Sequence, residues 1–287
     1  MVSPPPADPR RGLGSASPLL RTRVSLFFGS LRLLRWLSGL LRRLESVLIG
    51  FWLGMLSYED LLIVDDMYYV GQGRQHSPVD YRSAEWNTRG LFGWEQEAVT
   101  AHFAPGASLM LLAAGGGREV LALRRLSYAV DAWECQPDLV VAANALLSEE
   151  GLEAAVRHAP RDTVPPGDKR YDGAVVGWGA YTHTRGRSAR VKLLRDLRKR
   201  VRDDSPVLLS FWVRRSADSS YRVVAAVGNL MRVATGGPRI EIGDYLGPNF
   251  VHVFEEQEIR SELAAAGFEL ICYRTKPYGH AVGRAVP

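Results

Sequence analysis

Short apolar runs alternate along the chain with segments that have helical spacing. Residues 108–112 (SLMLL) form an uninterrupted apolar run, as expected of a strand that is buried on both faces of a parallel sheet. Residues 118–126 have the spacing of a helix with one apolar face, and residues 128–133 form the next apolar run. Similar runs at residues 171–178 and 205–213 predict further strands. This alternation favours an α/β fold built on a mostly parallel sheet.

Shorter patterns complete the predicted sheet. Residues 152–158 predict one more strand, and residues 255–266 predict a helix that ends at a glycine, which is common just after a helix C-terminus. Residues 268–274 and 280–285 predict a terminal hairpin, so that the last strand runs antiparallel to its neighbours. Residues 236–249 contain several glycines, and we interpret them as an insertion that shapes a substrate pocket.

The N-terminal part of the chain has a different pattern, with leucines and arginines on opposite faces. If residues 31–49 are helical, one face carries Trp36 and a row of leucines, and the other carries four arginines. The four are Arg32, Arg35, Arg42 and Arg43. Three interpretations stay open: a helix that lies on a membrane surface, a helix that docks on the body or pairs in a homodimer, and part of a targeting peptide.

The same patterns suggest where the chain divides. Residues 1–20 are rich in proline, serine, glycine and arginine, which predicts a disordered basic N-terminus. Residues 21–105 are predicted to be an amphipathic helical extension, and residues 106–287 the body. The longest uncharged run, residues 46–58, is shorter than the roughly 20 residues that a bilayer requires, so we expect no transmembrane span.

Charge is distributed unevenly along the chain. The formal net charge is +5 over 287 residues, but residues 1–44 contain eight arginines and one aspartate, a net +7 that leaves about −2 for the rest. A nearly neutral body argues against a surface for a phosphate backbone, so no nucleic-acid partner is predicted. Cys135 and Cys272 are the only cysteines, which predicts neither a disulfide framework nor a metal site. A cytoplasmic location is therefore expected, with membrane association if the N-terminal helix binds lipid.

A glycine-rich turn follows the first predicted strand of the body. Residues 113–117 (AAGGG) have almost no side chain, so backbone N–H groups and a helix start can approach a ligand closely. Glu134 lies at the end of the next apolar run, about 17 residues beyond Gly117. An acid at that place is suited to binding both hydroxyls of a ribose. The alternative is an ordinary tight turn with a solvated glutamate.

The stretch LLAAGGGREVLAL, followed by VDAWECQPDLV, resembles the first two motifs of the class I S-adenosylmethionine-dependent methyltransferases. In the family's G-x-G-x-G turn, Ala113 replaces the first glycine, while Gly115 and Gly117 match the other two. Leu111 stands where the family usually has an acid. The resemblance begins near residue 90 and implies a Rossmann-like seven-stranded sheet that is mostly parallel. It also implies an antiparallel last strand, helices on both faces and an N-terminal extension that acts as a lid.

The resemblance also implies how S-adenosylmethionine is bound. The glycine-rich turn would contact the methionine half, Glu134 the ribose, and Asp162 the adenine; a loop aspartate without that role is the alternative for Asp162. The predicted cofactor-binding residues are Ala113, Ala114, Gly115, Gly117, Glu134, Cys135, Asp162, Gly177 and Trp178.

The catalytic candidates follow the fourth predicted strand. Residues 177–184 come after its carboxyl end, which is where ligands bind in an open parallel sheet. Tyr181 and His183 are the polar candidates there, with His183 as a general base because an imidazole titrates near neutrality. The alternative for His183 is a surface or helix-capping role. Tyr69 and Tyr81 are candidates for lid residues.

These features predict methyl transfer to a small-molecule acceptor, which would be lipophilic if the N-terminal helix binds a membrane. The motifs of amino-group and cytosine C5 methylation, Asn/Asp-Pro-Pro-aromatic and Pro-Cys, do not follow the fourth strand. Two other classes stay open. One is an NAD(P)-dependent oxidoreductase that uses the same strand–helix–strand unit. The other is a catalytically silent binding protein with the methyltransferase fold, because Leu111 and Ala113 depart from the family pattern.

Overall fold

The computed structural model describes residues 18–69, 79–215 and 219–287. The chain divides into two compact units, with the boundary between Ser46 and Val47. Residues 1–17 lie outside the described part, so the expected disorder of residues 1–20 stays a prediction. The proposed limits of the extension and the body also stay predictions.

The first element is the long helix α1 (Pro18–Met55), which includes the segment predicted to be helical at residues 31–49. Large apolar side chains such as Leu33 and Trp36 are exposed on it. By length and composition alone, Thr22–Met55 qualifies as a membrane span, a test that a signal sequence near an N-terminus also meets. The expectation of no span did not apply this test, and it stays a prediction. That expectation counted only uncharged runs, whereas the long arginine stem can lie along apolar surface with its charge in water.

Nine strands form the sheet of the described residues. They are β1 (Ser108–Leu112), β2 (Ala129–Glu134), β3 (Val156–His158), β4 (Gly173–Val176), β5 (Pro206–Val213), β6 (Asp244–Leu246), β7 (Phe250–Phe254), β8 (Phe268–Arg274) and β9 (Gly279–Ala285). β1 to β5 pair in parallel, and β9 lies antiparallel between β5 and β8. The resulting order β3-β2-β1-β4-β5-β9-β8 confirms the predicted seven-stranded, mostly parallel sheet with an antiparallel last strand.

Eight further helices surround the sheet in the described part. They are α2 (Tyr58–Tyr69), α3 (Ala84–Asn87), α4 (Gly93–His102), α5 (Arg118–Arg125), α6 (Pro137–Glu149), α7 (Arg187–Arg200), α8 (Ser220–Thr235) and α9 (Glu256–Ala265). Their starts follow local chemistry. Pro137 lies in the first turn of α6, where its missing N–H costs nothing. The Glu95 carboxylate accepts a hydrogen bond (2.7 Å) from the backbone N–H of Phe92 at the start of α4.

Apolar side chains fill both faces of the sheet. In β1, Leu109 and Leu111 belong to the core under α4, α5 and α6, whereas Met110 and Leu112 belong to the core under α7 and α9. This alternation is the period of two that a strand imposes, and a strand buried on both sides reads as a continuous apolar run. The predicted helices on both faces are therefore confirmed.

A third, smaller core joins the end of α1, α2, α8 and β7. It includes Leu53, Leu61 and Val224, all of which are buried. Gly50 and Gly54 let α1 approach α8 closely, because a Cβ on either would lie 2.6 Å from a backbone carbonyl oxygen of α8. The missing side chains therefore allow the two helix backbones to touch.

The hairpin of β6 and β7 is not predicted by the sequence pattern. β6 lies within the segment at residues 236–249 that is interpreted as an insertion, and β7 follows it directly. β7 extends the sheet by pairing in parallel with the last residues of β5, such as Trp212 with Val253. Its five residues are all buried, so no polar alternation marks it as a strand.

The strand register brings three strand ends together. Leu112 of β1 pairs with Trp133 of β2 on one side and with Val176 of β4 on the other. The residues that follow each strand therefore emerge side by side at the carboxyl edge of the sheet, where open α/β sheets bind ligands.

Candidate active site

A cavity of about 150 Å³ lies at this carboxyl edge. Its wall combines the glycine-rich turn, the ends of β2 and β4, the loop after β3, the 3-10 turn Ala180–His183 and part of α3. Seven of the nine predicted cofactor residues line it. They are Ala113, Ala114, Gly115, Glu134, Cys135, Asp162 and Trp178. The wall, as far as the chain is described, does not include Gly117, Gly177 or Tyr181.

The glycine-rich turn has left-handed backbone at Ala113 (φ 58°), Gly115 (φ 54°) and Gly117 (φ 95°). Ala113 replaces a family glycine at a cost of roughly 1–2 kcal/mol for an L-residue in this region. Glycine is required at position 116 for a different reason, because a Cβ there would overlap the carbonyl oxygen of Tyr81. Tyr81 lines the cavity, as a lid residue would, whereas the side chain of Tyr69 lies outside the described part.

Asn87 is a wall residue that sequence reasoning missed. It is 2% exposed, and its Nδ2 donates to the carbonyl oxygens of Tyr81 (2.8 Å) and Ser83 (3.0 Å). These two acceptors fix the orientation of the amide. Its Oδ1 is buried and has no hydrogen-bond partner in the described residues. Asn87 therefore presents an acceptor beside Gly116 that a ligand N–H group can satisfy.

Glu134 connects the end of β2 to the glycine-rich turn. Its Oε2 accepts from the backbone N–H of Gly115 (2.8 Å), and its Oε1 accepts from those of Cys135 (2.8 Å) and Gln136 (2.9 Å). The side chain is buried, and its hydrogen-bond partners are these three backbone donors and the thiol of Cys135. They fix the position of the carboxylate at the cavity wall, and no ion pair of Glu134 is formed among the described residues.

Cys135 lies next to this carboxylate. Burial and the negative charge of Glu134 raise the pKa of the thiol to about 12, and Sγ lies 3.3 Å from Oε1 of Glu134. The thiol is therefore protonated at neutral pH and unsuited to nucleophilic chemistry.

Asp162 lies in the loop after β3 with φ 57°. Its Oδ1 accepts from the hydroxyl of Thr184 (2.7 Å), and its Oδ2 accepts from the hydroxyl of Tyr58 (3.4 Å). Burial raises the pKa of this carboxyl, while the two hydroxyl donors and Arg161 oppose the rise. Asp162 is thus held at the cavity wall by a residue of α2 and one from the loop after the 3-10 turn.

Trp178 forms the centre of an aromatic cluster over the cavity. Its ring centroid lies 5.1 Å from Phe92, 5.7 Å from Tyr278 and 5.9 Å from Trp86. Its backbone N–H donates to Oε1 of Glu119 (3.0 Å), which anchors the start of the loop after β4. The cluster gives this side of the cavity an aromatic wall.

His183 lines the cavity with its tautomer fixed. Its Nδ1 lies 2.9 Å from the carbonyl oxygen of Phe250. A carbonyl only accepts, so Nδ1 carries the hydrogen and Nε2 is the basic nitrogen. Burial, with Arg161 adding to it, lowers the pKa of the imidazole to about 4. The ring is therefore neutral and only weakly basic near neutral pH, and the role of His183 as a general base stays a prediction.

Tyr181 and Gly177 have structural roles and do not line the cavity in the described part of the chain. Tyr181 is fully buried in the core under α7 and α9, and its hydroxyl donates to Oε2 of Glu262 (2.7 Å). A Cβ on Gly177 would overlap the carbonyl oxygen of Ala113, so this glycine lets the ends of β4 and β1 approach each other. The structure thus does not bring the hydroxyl of Tyr181 to the cavity.

A buried ion network under the glycine-rich turn also escaped prediction. The Arg118 guanidinium pairs with Glu95 (2.6 Å) and with Glu119 (2.8 Å), and it lies 4.1 Å over the ring of Phe92. These carboxylates raise the pKa of Arg118 above its usual value. Its charge is already neutralised, so Arg118 supports the turn and is not a free cation of the cavity.

Comparison with known proteins identifies the fold. No family model and no curated protein matches the chain. An S-adenosylmethionine-dependent methyltransferase of Methanosarcina mazei aligns with a TM-score of 0.56 at 15% identity, over 69% of this chain and 99% of that one. The 1,6-didemethyltoxoflavin N1-methyltransferase of Burkholderia thailandensis, solved with S-adenosylhomocysteine, aligns with a TM-score of 0.52 at 18% identity, over 80% and 89%. An amino pentose methyltransferase of Micromonospora echinaspora, solved with S-adenosylmethionine, aligns with a TM-score of 0.50 at 16% identity, over 71% and 95%.

The chain therefore has the fold of the class I S-adenosylmethionine-dependent methyltransferases. The strand order and the antiparallel β9 agree with the fold that the sequence motifs imply.

Proposed function

We propose that the protein transfers a methyl group from S-adenosylmethionine to a small-molecule acceptor. The observation that carries the proposal is the buried Glu134 carboxylate, which is fixed beside the glycine-rich turn in the wall of one cavity. An acid at the end of the second strand, next to such a turn, is the arrangement that binds the ribose of a nucleoside cofactor. The small-molecule class follows the acceptors of two structural neighbours, an amino pentose and 1,6-didemethyltoxoflavin.

The residues of the cavity fit this cofactor. Glu134 would exchange its bond to Gly115 for the ribose hydroxyls, and Asp162 would accept from the adenine amino group. The unpartnered Oδ1 of Asn87, beside Gly116, suits the α-ammonium group of the methionine half. When bound, the cofactor supplies a sulfonium-activated methyl group as the electrophile. The faces of Trp86 and Trp178 suit a cationic ligand.

The chain's own work is then to position the acceptor and exclude water. The aromatic cluster around Trp178 closes one side of the cavity. His183 holds its basic Nε2 by the bond from Nδ1 to Phe250. With a pKa of about 4, the imidazole is a weak proton acceptor.

Calorimetry on the purified full chain tests the proposal. We expect S-adenosylhomocysteine to bind and Glu134→Ala to weaken the binding by roughly 10- to 100-fold, since hydrogen bonds to a charged group contribute about 1.5–3 kcal/mol. Glu149→Ala, an exposed acid on α6, is the matched control and should bind as the wild type does. Saturation by NADH and not by S-adenosylhomocysteine would instead favour the oxidoreductase.

A catalytically silent binding protein is the second candidate function. The observation that favours it is Leu111, which is fully buried in the core where the family usually has an acid, so that contact to the cofactor is missing or is supplied by another residue. Binding of S-adenosylhomocysteine without methyl transfer to a broad panel of acceptors would support this candidate.

We also propose that residues 31–49 place the cytoplasmic protein on a membrane surface. The support is the exposed apolar face of α1 opposite Arg32, Arg35, Arg42 and Arg43. Sedimentation with anionic vesicles should weaken at high salt and on replacing Arg42 and Arg43 by glutamine. Vesicle binding that is insensitive to both changes would favour a spanning helix. Dimerisation without lipid, abolished by Trp36→Ala, would favour pairing in a homodimer.

A further inference from the structure

We infer that a second, smaller cavity beside the active-site cavity binds an anionic group, a carboxylate or phosphate, through Arg185. Arg185 lies between the 3-10 turn Ala180–His183 and α7, on the loop that follows the carboxyl end of β4. Ligands bind at such loops in open parallel sheets. The inference rests on the proposed function only in naming the methyl acceptor as the molecule that carries the anion.

The first observation is an unpaired cation. Both terminal nitrogens of Arg185, Nη1 and Nη2, are buried and have no hydrogen-bond partner among the described residues. A guanidinium stays protonated near neutral pH. Burying its N–H donors away from water without a hydrogen-bond partner costs free energy. Such a group is retained where a ligand acceptor completes it.

The second observation is the charge around this guanidinium. Arg232 of α8 lies near enough for its charge to lower the pKa of Arg185, in addition to the effect of burial. The terminal nitrogens of Arg232 donate to the backbone carbonyls of Leu53, Leu56 and Gly236, so its charge has no carboxylate partner in these bonds. The two arginines therefore create a positive potential between α2 and α8 that favours an anion.

The nearby acids are engaged elsewhere. Asp244, a carboxylate whose charge acts on Arg185, accepts from Nδ1 of His252 (2.7 Å) and from the backbone N–H of Glu241 (2.8 Å). Asp162 accepts from two hydroxyls, as described above. Asp65 pairs with Arg161 at 3.2 Å. Asp65 is the one competitor, because its Oδ1 has no hydrogen-bond partner in the described chain.

The position of the cavity connects the anion to the methyl-transfer site. Arg161, Asp162 and His183 line both cavities, so they form the wall between the two. The smaller cavity is about 10 Å³, which accommodates one oxygen atom, and Tyr58 and Leu62 of α2 cover it. A carboxylate or phosphate oxygen at Arg185 would direct the rest of the acceptor past His183. The acceptor class is therefore a small acid, with its methyl-accepting atom a few bonds from the anionic group.

Anion-dependent thermal unfolding and calorimetry of the full chain test the inference, with inorganic phosphate and acetate as probes and chloride at equal ionic strength as reference. We expect a saturable rise of the melting temperature with at least one probe, and the stronger probe tells phosphate from carboxylate. In Arg185→Gln, the affinity should fall roughly 10- to 100-fold, the loss expected for hydrogen bonds between charged groups. Arg222→Gln, which removes an exposed arginine of α8, should keep the wild-type response.

A second readout separates a ligand-binding arginine from a structural one. Because the guanidinium is unpaired, Arg185→Gln in chloride should melt at or above the wild-type temperature. A lower melting temperature that Asp65→Asn reproduces would mean that Asp65 is its partner, and the inference would be overturned. It would also be overturned if neither probe acts beyond chloride, or if Arg185→Gln responds as the wild type does. Binding of S-adenosylhomocysteine to Arg185→Gln shows separately whether the proposed function holds.

Discussion

Asp65 and His183 should give the protein two opposing dependences of stability on pH. Both line the small cavity beside the active site, where Asp65 is buried and His183 is partly buried, and both have a perturbed pKa. Burial raises the pKa of Asp65 from 3.8 to about 6, in spite of the nearby Arg161. Burial lowers the pKa of His183 from 6.5 to about 4. The perturbations are Asp65→Asn and His183→Gln, each of which removes one titration and keeps a polar side chain.

The signs of the two effects follow from proton binding. Between pH 3.8 and 6, folded Asp65 binds more protons than unfolded Asp65, so its contribution to stability falls as the pH rises. Between pH 4 and 6.5, folded His183 binds fewer protons than the unfolded residue, so its contribution rises with pH. Each shift of a little over two pKa units corresponds to at most about 3 kcal/mol. In the wild type, the two contributions largely cancel across this window.

Urea unfolding at a series of pH values from 4 to 7 measures these slopes. Relative to the wild type, we expect Asp65→Asn to gain stability as the pH rises from 4 to 6, and His183→Gln to lose it, each by up to about 3 kcal/mol. In the double variant, the free energy of unfolding should depend on pH much as it does in the wild type. Loss of the Asp65–Arg161 pair should lower this free energy by the same amount at every pH, which leaves the slope against pH unchanged. If the free energy of unfolding changes with pH in the same way in all four proteins, the two perturbed pKa values are wrong.

Two further substitutions and one labelling experiment have expected outcomes. Gly54→Ala should lower stability by roughly 1–3 kcal/mol in urea unfolding, because its Cβ meets α8 at 2.5 Å; Gly39→Ala, where nothing lies within 4 Å, is the control and should not. Tyr181→Phe should lower the free energy of unfolding by about 1–3 kcal/mol, because it removes one hydrogen bond of the buried Glu262, which stays paired with Arg190. The binding of S-adenosylhomocysteine should stay intact; lost binding would mean that Tyr181 belongs to the site. Cys135 should resist iodoacetamide at pH 8 in mass spectrometry, because its thiol pKa is about 12; rapid labelling would contradict this.

The fold follows from local patterns that the sequence contains. The apolar run of β1, the glycine-rich turn and the acid at the end of β2 are contiguous in sequence, and their roles depend on neighbouring residues. They were therefore predictable, and the strand register brings Ala113 and Glu134 together at one edge. β7 was missed because a strand buried on both faces lacks the alternation that distinguishes it from a short helical segment.

The candidate site was less predictable, because its polar contacts join distant parts of the chain. Arg118 pairs with Glu95, 23 positions earlier, and Tyr181 with Glu262, 81 positions later. No local signal reports such a pair. For Tyr181, the position after β4 was correct, but the side-chain direction depends on the 3-10 turn, which faces it into the core. The lowered pKa of His183 depends on burial and on the nearby Arg161, which the residue type does not reveal.

The central claim is that Glu134 binds the ribose of S-adenosylmethionine beside the glycine-rich turn. A crystal structure of the full chain with S-adenosylhomocysteine tests it most directly. We predict both ribose hydroxyls within hydrogen-bond distance of the Glu134 carboxylate and the adenine beside Asp162. A nucleoside bound away from this edge, or a ribose that leaves Glu134 bonded to Gly115 as it is now, would contradict the claim.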